Sequence, residues 1–305
     1  MEDKLIINGR EITEEDISVA EYVASTYKSF SRKELARTLC FCQDWVTRRD
    51  VPQLDIAAKL FEYLYEKGLI TLPPKREQYV AGGRASMKAI AMTEKTDPGE
   101  PMTGDVSDYE GITIQPIYSK SEISLWKEYI DRYHPEKYTP PRGSNLRYMI
   151  KCRAHVLGCM MFSPSAWALE DRDNWIGWTA QDRSQRLIYV LNNSRFLLMP
   201  WIRIRNLASY ALGQAVRRIQ YDWLENFLYA PVLLETFIDR NHYKGSCYKA
   251  ANWQAIGNTK GRGRNDRHHE GLSTPREIYM YPLEKDFRDY LIGVKAPIAR
   301  EEVAI

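Results

Sequence analysis

From Gly111 onward the chain alternates strand and helix patterns in one order, and that order limits what the second half can become. Ile112 to Tyr118 alternates apolar and polar residues and predicts a strand. Ser121 to Tyr133, with Ile123, Trp126 and Ile130 on one side, predicts a helix. Leu146 to Cys152 and Val156 to Phe162, joined by a tight connection, predict an antiparallel hairpin. After a Trp-rich stretch (Trp167, Trp175, Trp178) comes a long apolar segment, Leu187 to Trp201, broken by the polar run Asn192, Asn193, Ser194 and Arg195. Asn206 to Ile219 then predicts a helix, Val232 to Ile238 a buried strand, and Ser246 to Ile256 another helix. The fold class expected is α+β, with a mixed sheet in the domain spanning residues 111–305.

The first 75 residues read differently. Thr13 followed by acidic residues is an N-cap, with Val19, Tyr22, Val23 and Tyr27 at helical spacing behind it. Ser31 and Glu34 form the S-x-x-E pattern of a capping box, opening a second helix through Leu35, Leu39 and Cys40. A third runs from about Leu54 to Lys67 and stops at Gly68, and Leu69 to Leu72 reads as one short strand. Three helices and a strand are the layout of a winged helix, in which one helix can enter a major groove, or equally of a helical interaction module. Residues 76–110 carry no apolar periodicity and read as a linker or surface excursion.

The net charge of +3 is too small to imply a polyanionic partner by itself, but its distribution is uneven. Acids crowd the start, and bases gather between Lys249 and Arg267. Twenty Tyr and eight Trp fill an interior or stack on flat ligands such as bases. The five cysteines, Cys40, Cys42, Cys152, Cys159 and Cys247, lack paired C-x-x-C spacing, so neither a zinc site nor a disulfide framework is expected. The polar, acidic opening is no signal peptide, and no apolar run approaches the roughly 20 residues needed to span a bilayer. A cytoplasmic protein without membrane partners is the expectation.

Three stretches could carry chemistry. Asn193 and Arg195, in the polar break, are either a satisfied bend or donors lining a pocket. Glu235 and Asp239 emerge from a buried strand and could transfer a proton or hold a divalent metal, although Asp239 could equally cap a helix. The third stretch is the densest: Cys247 and Tyr248 are candidate nucleophiles, and Asn252, Trp253, Thr259, Lys260, Arg262, Arg264 and Arg267 are candidate nucleic-acid contacts. Glycine alternating with arginine lets backbone and guanidinium approach phosphate together. Adjacent His268 and His269 lack a third ligand at metal-site spacing, so no metal site is assigned.

The element order resembles that of the GNAT acyltransferases, which cradle coenzyme A pyrophosphate on a Gly-rich turn. The corresponding turn here, Arg203 to Ser209, has no glycine, so ordinary acetyl-CoA transfer is not expected. The stretches RDNWIGW (172–178), NNSRFLLMPWIRIRNLAS (192–209), PVLLETFID (231–239) and GSCYKAANWQAIGNTKGRGR (245–264) resemble the DruA family of Druantia anti-phage systems, also found near transposases. SRKELARTLC and KLFEYLYEKGLITLPP resemble its leading helical region. The resemblance implies work on nucleic acid in defence or mobile elements, and carries over Asn192, Asn193, Ser194, Arg195, Glu235, Asp239, Cys247, Tyr248, Asn252, Trp253, Thr259, Arg262 and Arg264. Two functions follow: a DNA-acting enzyme that modifies a base by transfer or cuts a strand, or a non-enzymatic subunit that brings a helicase or nuclease to DNA. The partners expected are single- or double-stranded DNA and other defence-system proteins; the cofactor is unknown, with a divalent metal as a candidate. No HUH, RuvC, PD-D/ExK or H-x-E…P-C-x-x-C signature is present.

Overall fold

The computed structural model describes residues 5–47, 51–74, 89–141, 143–261, 274–298 and 303. The chain divides into two compact units, one of residues 1–88, 223–230 and 297–302, the other of residues 89–222, 231–296 and 303–305.

In the first unit a hairpin of β1 (Ile6–Ile7) and β2 (Arg10–Glu11) precedes α1 (Glu14–Thr26), α2 (Arg32–Cys42) and α3 (Leu54–Glu66). Both expected caps form. Thr13 and Asp16 satisfy each other's backbone N–H across the first turn of α1, and Ser31 and Glu34 do so for α2. The apolar stripes then meet: Val23, Leu35, Leu39, Trp45, Ile56, Leu60 and Leu64 are all buried in one cluster. The structure departs from the expected winged-helix layout in its strands. Residues 69–72 form no strand, and the hairpin stands before α1.

The second unit opens with β3 (Met102–Asp105), β4 (Ile112–Pro116), α4 (Lys120–Tyr133), β5 (Leu146–Cys152) and β6 (His155–Pro164). It continues through α5 (Glu170–Ile176), α6 (Ala180–Arg186), β7 (Val190–Leu198), β8 (Ile202–Arg205) and α7 (Leu207–Phe227), whose last residues count with the first unit. It closes with β9 (Leu233–Ile238), α8 (Ser246–Ala250), β10 (Gln254–Asn258), β11 (Glu277–Pro282) and α9 (Phe287–Leu291). Seven strands make one sheet in the order β4-β5-β6-β7-β9-β11-β10. All neighbours are antiparallel except β7 and β9, which run parallel for only three pairs, Val190 with Leu233 to Asn192 with Glu235. Beyond that row the two strands separate, and this splay is the topological break in the sheet.

Several expectations are corrected here. The polar run 192–195 is no bend: β7 passes straight through it, with one extra residue, Ser194, bulged between Asn193 (opposite Phe162) and Arg195 (opposite Met161). Serine satisfies the bulge locally, since the Ser163 hydroxyl donates to Ser194 Oγ at 2.9 Å. The helix expected over 246–256 ends at Ala250, because Asn252 adopts a left-handed conformation (φ 63°) and the chain re-enters the sheet as β10. Within 76–110, residues 75–88 lie outside the described set, but the remainder is anchored. The Thr96 hydroxyl donates to the buried Glu128 carboxylate at 2.6 Å, the Tyr133 hydroxyl donates to Thr96 O at 2.6 Å, and β3 pairs in parallel with β8. Side chains from α4 thus hold a segment whose own sequence shows no periodicity.

Helix α7 is tied to the sheet by a polar triad whose Tyr148 and Asp222 are buried and whose Arg218 is part-exposed. The Tyr148 hydroxyl donates to Asp222 at 2.8 Å, Arg218 donates to the same carboxylate at 2.6 and 3.1 Å, and Arg218 also donates to Ile114 O.

Candidate functional site

Paired residues of neighbouring strands share a face, so the register sorts the candidate residues into two sets. Asn193, Phe196 and Thr236 point to the face that receives α8; Asn192, Arg195 and Glu235 point to the opposite face. Without the bulge at Ser194, Asn193 and Arg195 would lie on one side. The extra residue turns Arg195 away.

On the α8 face the residues form a closed cluster. The Tyr248 hydroxyl donates to Asn193 Oδ1 at 2.7 Å, the Thr236 hydroxyl donates to Asn193 O at 3.0 Å, and Asn193 Nδ2 donates to Met161 O at 3.2 Å. The Tyr248 ring meets Phe196, Trp253 and Tyr279 at centroid distances of 6.2, 5.2 and 6.0 Å. Burial pushes the Tyr248 phenol well up, and it also pushes the half-buried Cys247 thiol up. Both shifts disfavour the anion a nucleophile needs. Trp253, expected to contact nucleic acid, is 3 % exposed and offers no face to a base.

The opposite face holds a charge network. Glu235 and Arg172 are both fully buried and paired at 2.9 Å. The other Glu235 oxygen accepts the Ala166 N–H at 2.8 Å, so both carboxylate oxygens are engaged. Arg172 donates further to Asp173 (3.0 and 2.9 Å) and to Ala166 O (2.7 Å), and Asp173 also accepts from Arg183 at 2.7 Å. Burial pushes the Glu235 carboxyl up, and Arg172 together with the Ala166 N–H pulls against it. Asn192, beside Glu235 in the parallel register, leaves its buried Oδ1 without a hydrogen-bond partner.

Further along the same face, past the last β7–β9 pair, two guanidiniums converge on one carboxylate. Arg195 Nη1 lies 3.2 Å from Glu136, and Arg276, just before β11, pairs with the other oxygen of Glu136. Glu136 is 38 % exposed. The Glu136 N–H donates to His134 Nδ1 at 3.2 Å, so that nitrogen is unprotonated. Burial, reinforced by the charges of Arg195 and Arg276, pushes the imidazole down to about 4. Asp239, at the end of β9, accepts the Asn241 N–H at 2.9 Å and contacts His242 at 3.1 Å; that backbone N–H holds its carboxyl down. Glu235 and Asp239 therefore have separate partners. Among the described residues no group of three or more His, Cys, Asp or Glu side chains could hold a metal ion.

The stem of the basic segment stands at this end of the sheet. Thr259 and Arg276 are joined by two hydrogen bonds, Thr259 N–H to Arg276 O at 2.8 Å and Arg276 N–H to Thr259 Oγ1 at 2.9 Å. Arg262, Arg264 and Arg267 lie outside the described residues, as do His268 and His269. Lys260 pairs with Glu170, and Asn252 is exposed. Gly257 answers to Asp171: a Cβ there would come within 1.9 Å of the Asp171 oxygen that accepts the Asn258 N–H. That glycine is thus explained by packing against α5.

Sequence reasoning missed Glu136, His134 and Arg276, which are scattered singly through loops, and Arg172, whose partner is 63 positions away. It did mark the β8–α7 turn. There Asp105, held down chiefly by the Ser107 N–H, accepts a hydrogen bond from Asn206 at 3.0 Å, placing an anion beside the entrance to α7.

The strand order and the splay between β7 and β9 define a GNAT-like α+β protein. Residues 63–274 match the family model described as Druantia protein DruA, and the chain belongs to that family. No curated protein sequence matches it significantly. Solved structures similar to it include an N-acetyltransferase from Staphylococcus aureus Mu50 (13 % identity, TM-score 0.38, 57 % of this chain and 100 % of that one). Others are a Drosophila melanogaster polyamine N-acetyltransferase (9 %, 0.37, 56 % and 100 %) and an aminoglycoside acetyltransferase in complex with coenzyme A and kanamycin (11 %, 0.37, 56 % and 95 %). Among the described residues no helix is long and apolar enough to cross a membrane.

Proposed function

We propose that this chain is the nucleic-acid-binding component of an anti-phage defence system, gripping a phosphate backbone at Arg195 and Arg276. The observation that carries this is the convergence of two guanidiniums on the single, part-exposed carboxylate of Glu136, beside a histidine whose pKa is driven down to about 4. Both guanidiniums act on His134 in the same direction as burial, against the single carboxylate of Glu136, which supports a positive potential at this point for an anion. A phosphodiester matches the guanidinium fork as Glu136 does, and can displace that carboxylate into solvent. The site also lies past the last β7–β9 pair, with Arg276 at the carboxyl end of β9, and open sheets bind ligands at such ends. Arg262, Arg264 and Arg267 lie between Thr259 and Arg276 in the sequence and outside the described residues.

Binding is favoured over chemistry because the candidate nucleophiles are suppressed. Tyr248 is sealed and already donating to Asn193, Cys247 is pushed up, and Glu235 is consumed by Arg172 and Ala166. The anionic Asp105 beside α7 supports the argument against a pyrophosphate-bearing donor there. One observation favours a second reading, a nucleic-acid-modifying enzyme: the unpartnered Asn192 Oδ1 offers an acceptor to a ligand near the splay.

Fluorescence anisotropy with labelled single- and double-stranded oligonucleotides over a salt series tests the proposal. Each neutralised phosphate contributes about 0.7 to 0.9 to the slope of log affinity against log salt. Arg195→Ala with Arg276→Ala should therefore flatten the slope by about 1.4 to 1.8 and weaken all sequences alike. Failure of the wild type to bind any oligonucleotide, or an unchanged slope in the variant, would overturn it. Mass spectrometry of DNA incubated with the protein and cell extract decides the second reading, which requires an added group or a cut.

A further inference from the structure

We infer that Trp167 is a stacking platform for an unpaired nucleobase, which makes single-stranded nucleic acid the substrate class; this rests on the proposed nucleic-acid binding. Of the eight tryptophans, Trp167 alone is exposed, at 63 %. Trp45, Trp126, Trp178, Trp223 and Trp253 are buried, and Trp175 is stacked on Phe287 at 5.1 Å with Arg288 over its ring.

An exposed indole on a loose loop would lose much of its stacking energy to ordering the chain. The backbone around Trp167 is ordered in advance. Ala166 N–H is bound by the fully buried Glu235, Ala166 O by the fully buried Arg172 at 2.7 Å, and Trp167 O by the same guanidinium at 3.4 Å. Two buried charges, costly to desolvate, thus converge on the main chain that carries one surface ring. The ring in turn has the Arg183 guanidinium 5.9 Å from its centroid, and Asp173 orients that guanidinium at 2.7 Å. A fixed indole beside an oriented arginine is the pairing that takes the π-face of a base, with the cation adding to the attraction.

The ring's exposure on a fixed backbone favours an unpaired base over other occupants. Duplex DNA keeps its bases stacked on one another, so an indole on a rigid backbone gains a partner only where bases are unpaired. The Glu235 network and the phosphate grip belong to one face of the sheet, with Glu235 in register with Asn192 and Arg195 three residues further along β7. A strand crossing that face could lay phosphates on Arg195 and Arg276 while a base reaches the indole.

The test measures binding of the full chain to oligothymidylate of about ten nucleotides and to an abasic deoxyribose-phosphate strand of equal length. The wild type should bind the thymidine strand more tightly than the abasic one. Trp167→Ala should weaken the thymidine strand about 5- to 150-fold, the range of one base–aromatic stack, and leave the abasic strand within about twofold. Trp167→Phe should recover most of the loss. Melting temperature should not move, since the ring contributes little to the core. Equal loss on both strands, or no loss on either, overturns the stacking role while leaving the phosphate grip intact, and the latter result would point to a protein docking there. Failure of the wild type to bind either strand overturns nucleic-acid binding itself, and the platform with it.

Discussion

Glu235 stands inside the buried strand β9, at its last pair with β7, and its geometry makes it a structural anion. Glu235→Ala leaves the Arg172 charge sealed inside the protein with half its carboxylate partners gone and strips the Ala166 N–H of its acceptor. Breaking a buried ion pair by removing one partner costs about 3 to 5 kcal/mol. Arg172 keeps Asp173 and two carbonyls, which argues for the lower end of that range. In a unit of about two hundred residues, each kcal/mol moves the melting temperature by about 2 to 4 °C, so the drop should be about 6 to 20 °C. Glu235→Gln retains shape and one acceptor and should lose about 1 to 3 kcal/mol. Glu235→Met combined with Arg172→Met removes both charges and should recover much of the loss, because a buried pair exchanged for apolar side chains of similar volume is often neutral. Calorimetry of the wild type, Glu235→Met, Arg172→Met and their double variant gives the coupling directly. A Glu235→Ala protein that melts like the wild type yet loses phage protection would refute this reasoning and make the carboxylate a chemical group.

His134 supplies a pH prediction. Its folded pKa of about 4 lies below the ordinary 6.5, so between those values the unfolded chain takes up a proton that the folded chain refuses, and stability should fall as pH falls through that window. Proton NMR of the imidazole should show titration near 4, shifting upward when Arg195→Gln removes a charge or when a bound phosphodiester neutralises the site; titration at the ordinary value would remove the evidence for positive potential there. Gly257→Ala should drive a methyl into Asp171 and break the Asn258 hydrogen bond, lowering the melting temperature without changing the salt slope of binding. A slope change instead would return that glycine to the phosphate-binding role expected from its arginine-rich neighbours.

Local grammar was legible where it closes over a few residues. Thr13 with Asp16 and Ser31 with Glu34 cap the helices their spacing implied, and the strand patterns at 112–118, 146–152, 156–162 and 232–238 are met by β4, β5, β6 and β9, with β4 ending at Pro116 and β9 starting at Leu233. What failed was long in range. Asn192 to Arg195 looked like a break because polarity was taken to mean exposure; β7 accommodates it through one bulged residue and partners on two different elements. Residues 76–110 read as a linker or surface excursion because the partners of their described part, Glu128, Tyr133 and β8, are supplied by other parts of the sequence. The candidate site divides in the same way. In the sequence Glu235 stands out by its buried strand, Asn193 by the polar break and Tyr248 by the dense basic cluster, but the register that decides which face Asn193 and Arg195 occupy depends on the bulge at Ser194.

That dependence reaches from the bulge to the choice of function. Because Ser194 is bulged out of the ladder, Asn193 and Arg195 take opposite faces although they stand two positions apart, and the polar groups at the splay split into a sealed side and an open side. The sealed side holds the phenol and the asparagine that could have formed a catalytic pair, fixed in hydrogen bonds that leave the hydroxyl no free acceptor. The open side holds arginines and a histidine kept neutral, groups suited to meeting an anion and unsuited to bond making. Deleting Ser194 would make Asn193 and Arg195 adjacent in a regular ladder, still opposite Phe162 and Met161 and still on opposite faces. The variant should therefore keep its fold around α8 and its phosphate grip, and Ser194→Ala, which keeps the bulge and loses only the Ser163 hydrogen bond, should keep binding and lose about 1 kcal/mol of stability. A folded deletion variant whose salt slope flattens would show that the grip needs the bulge itself and not only the face that Arg195 occupies.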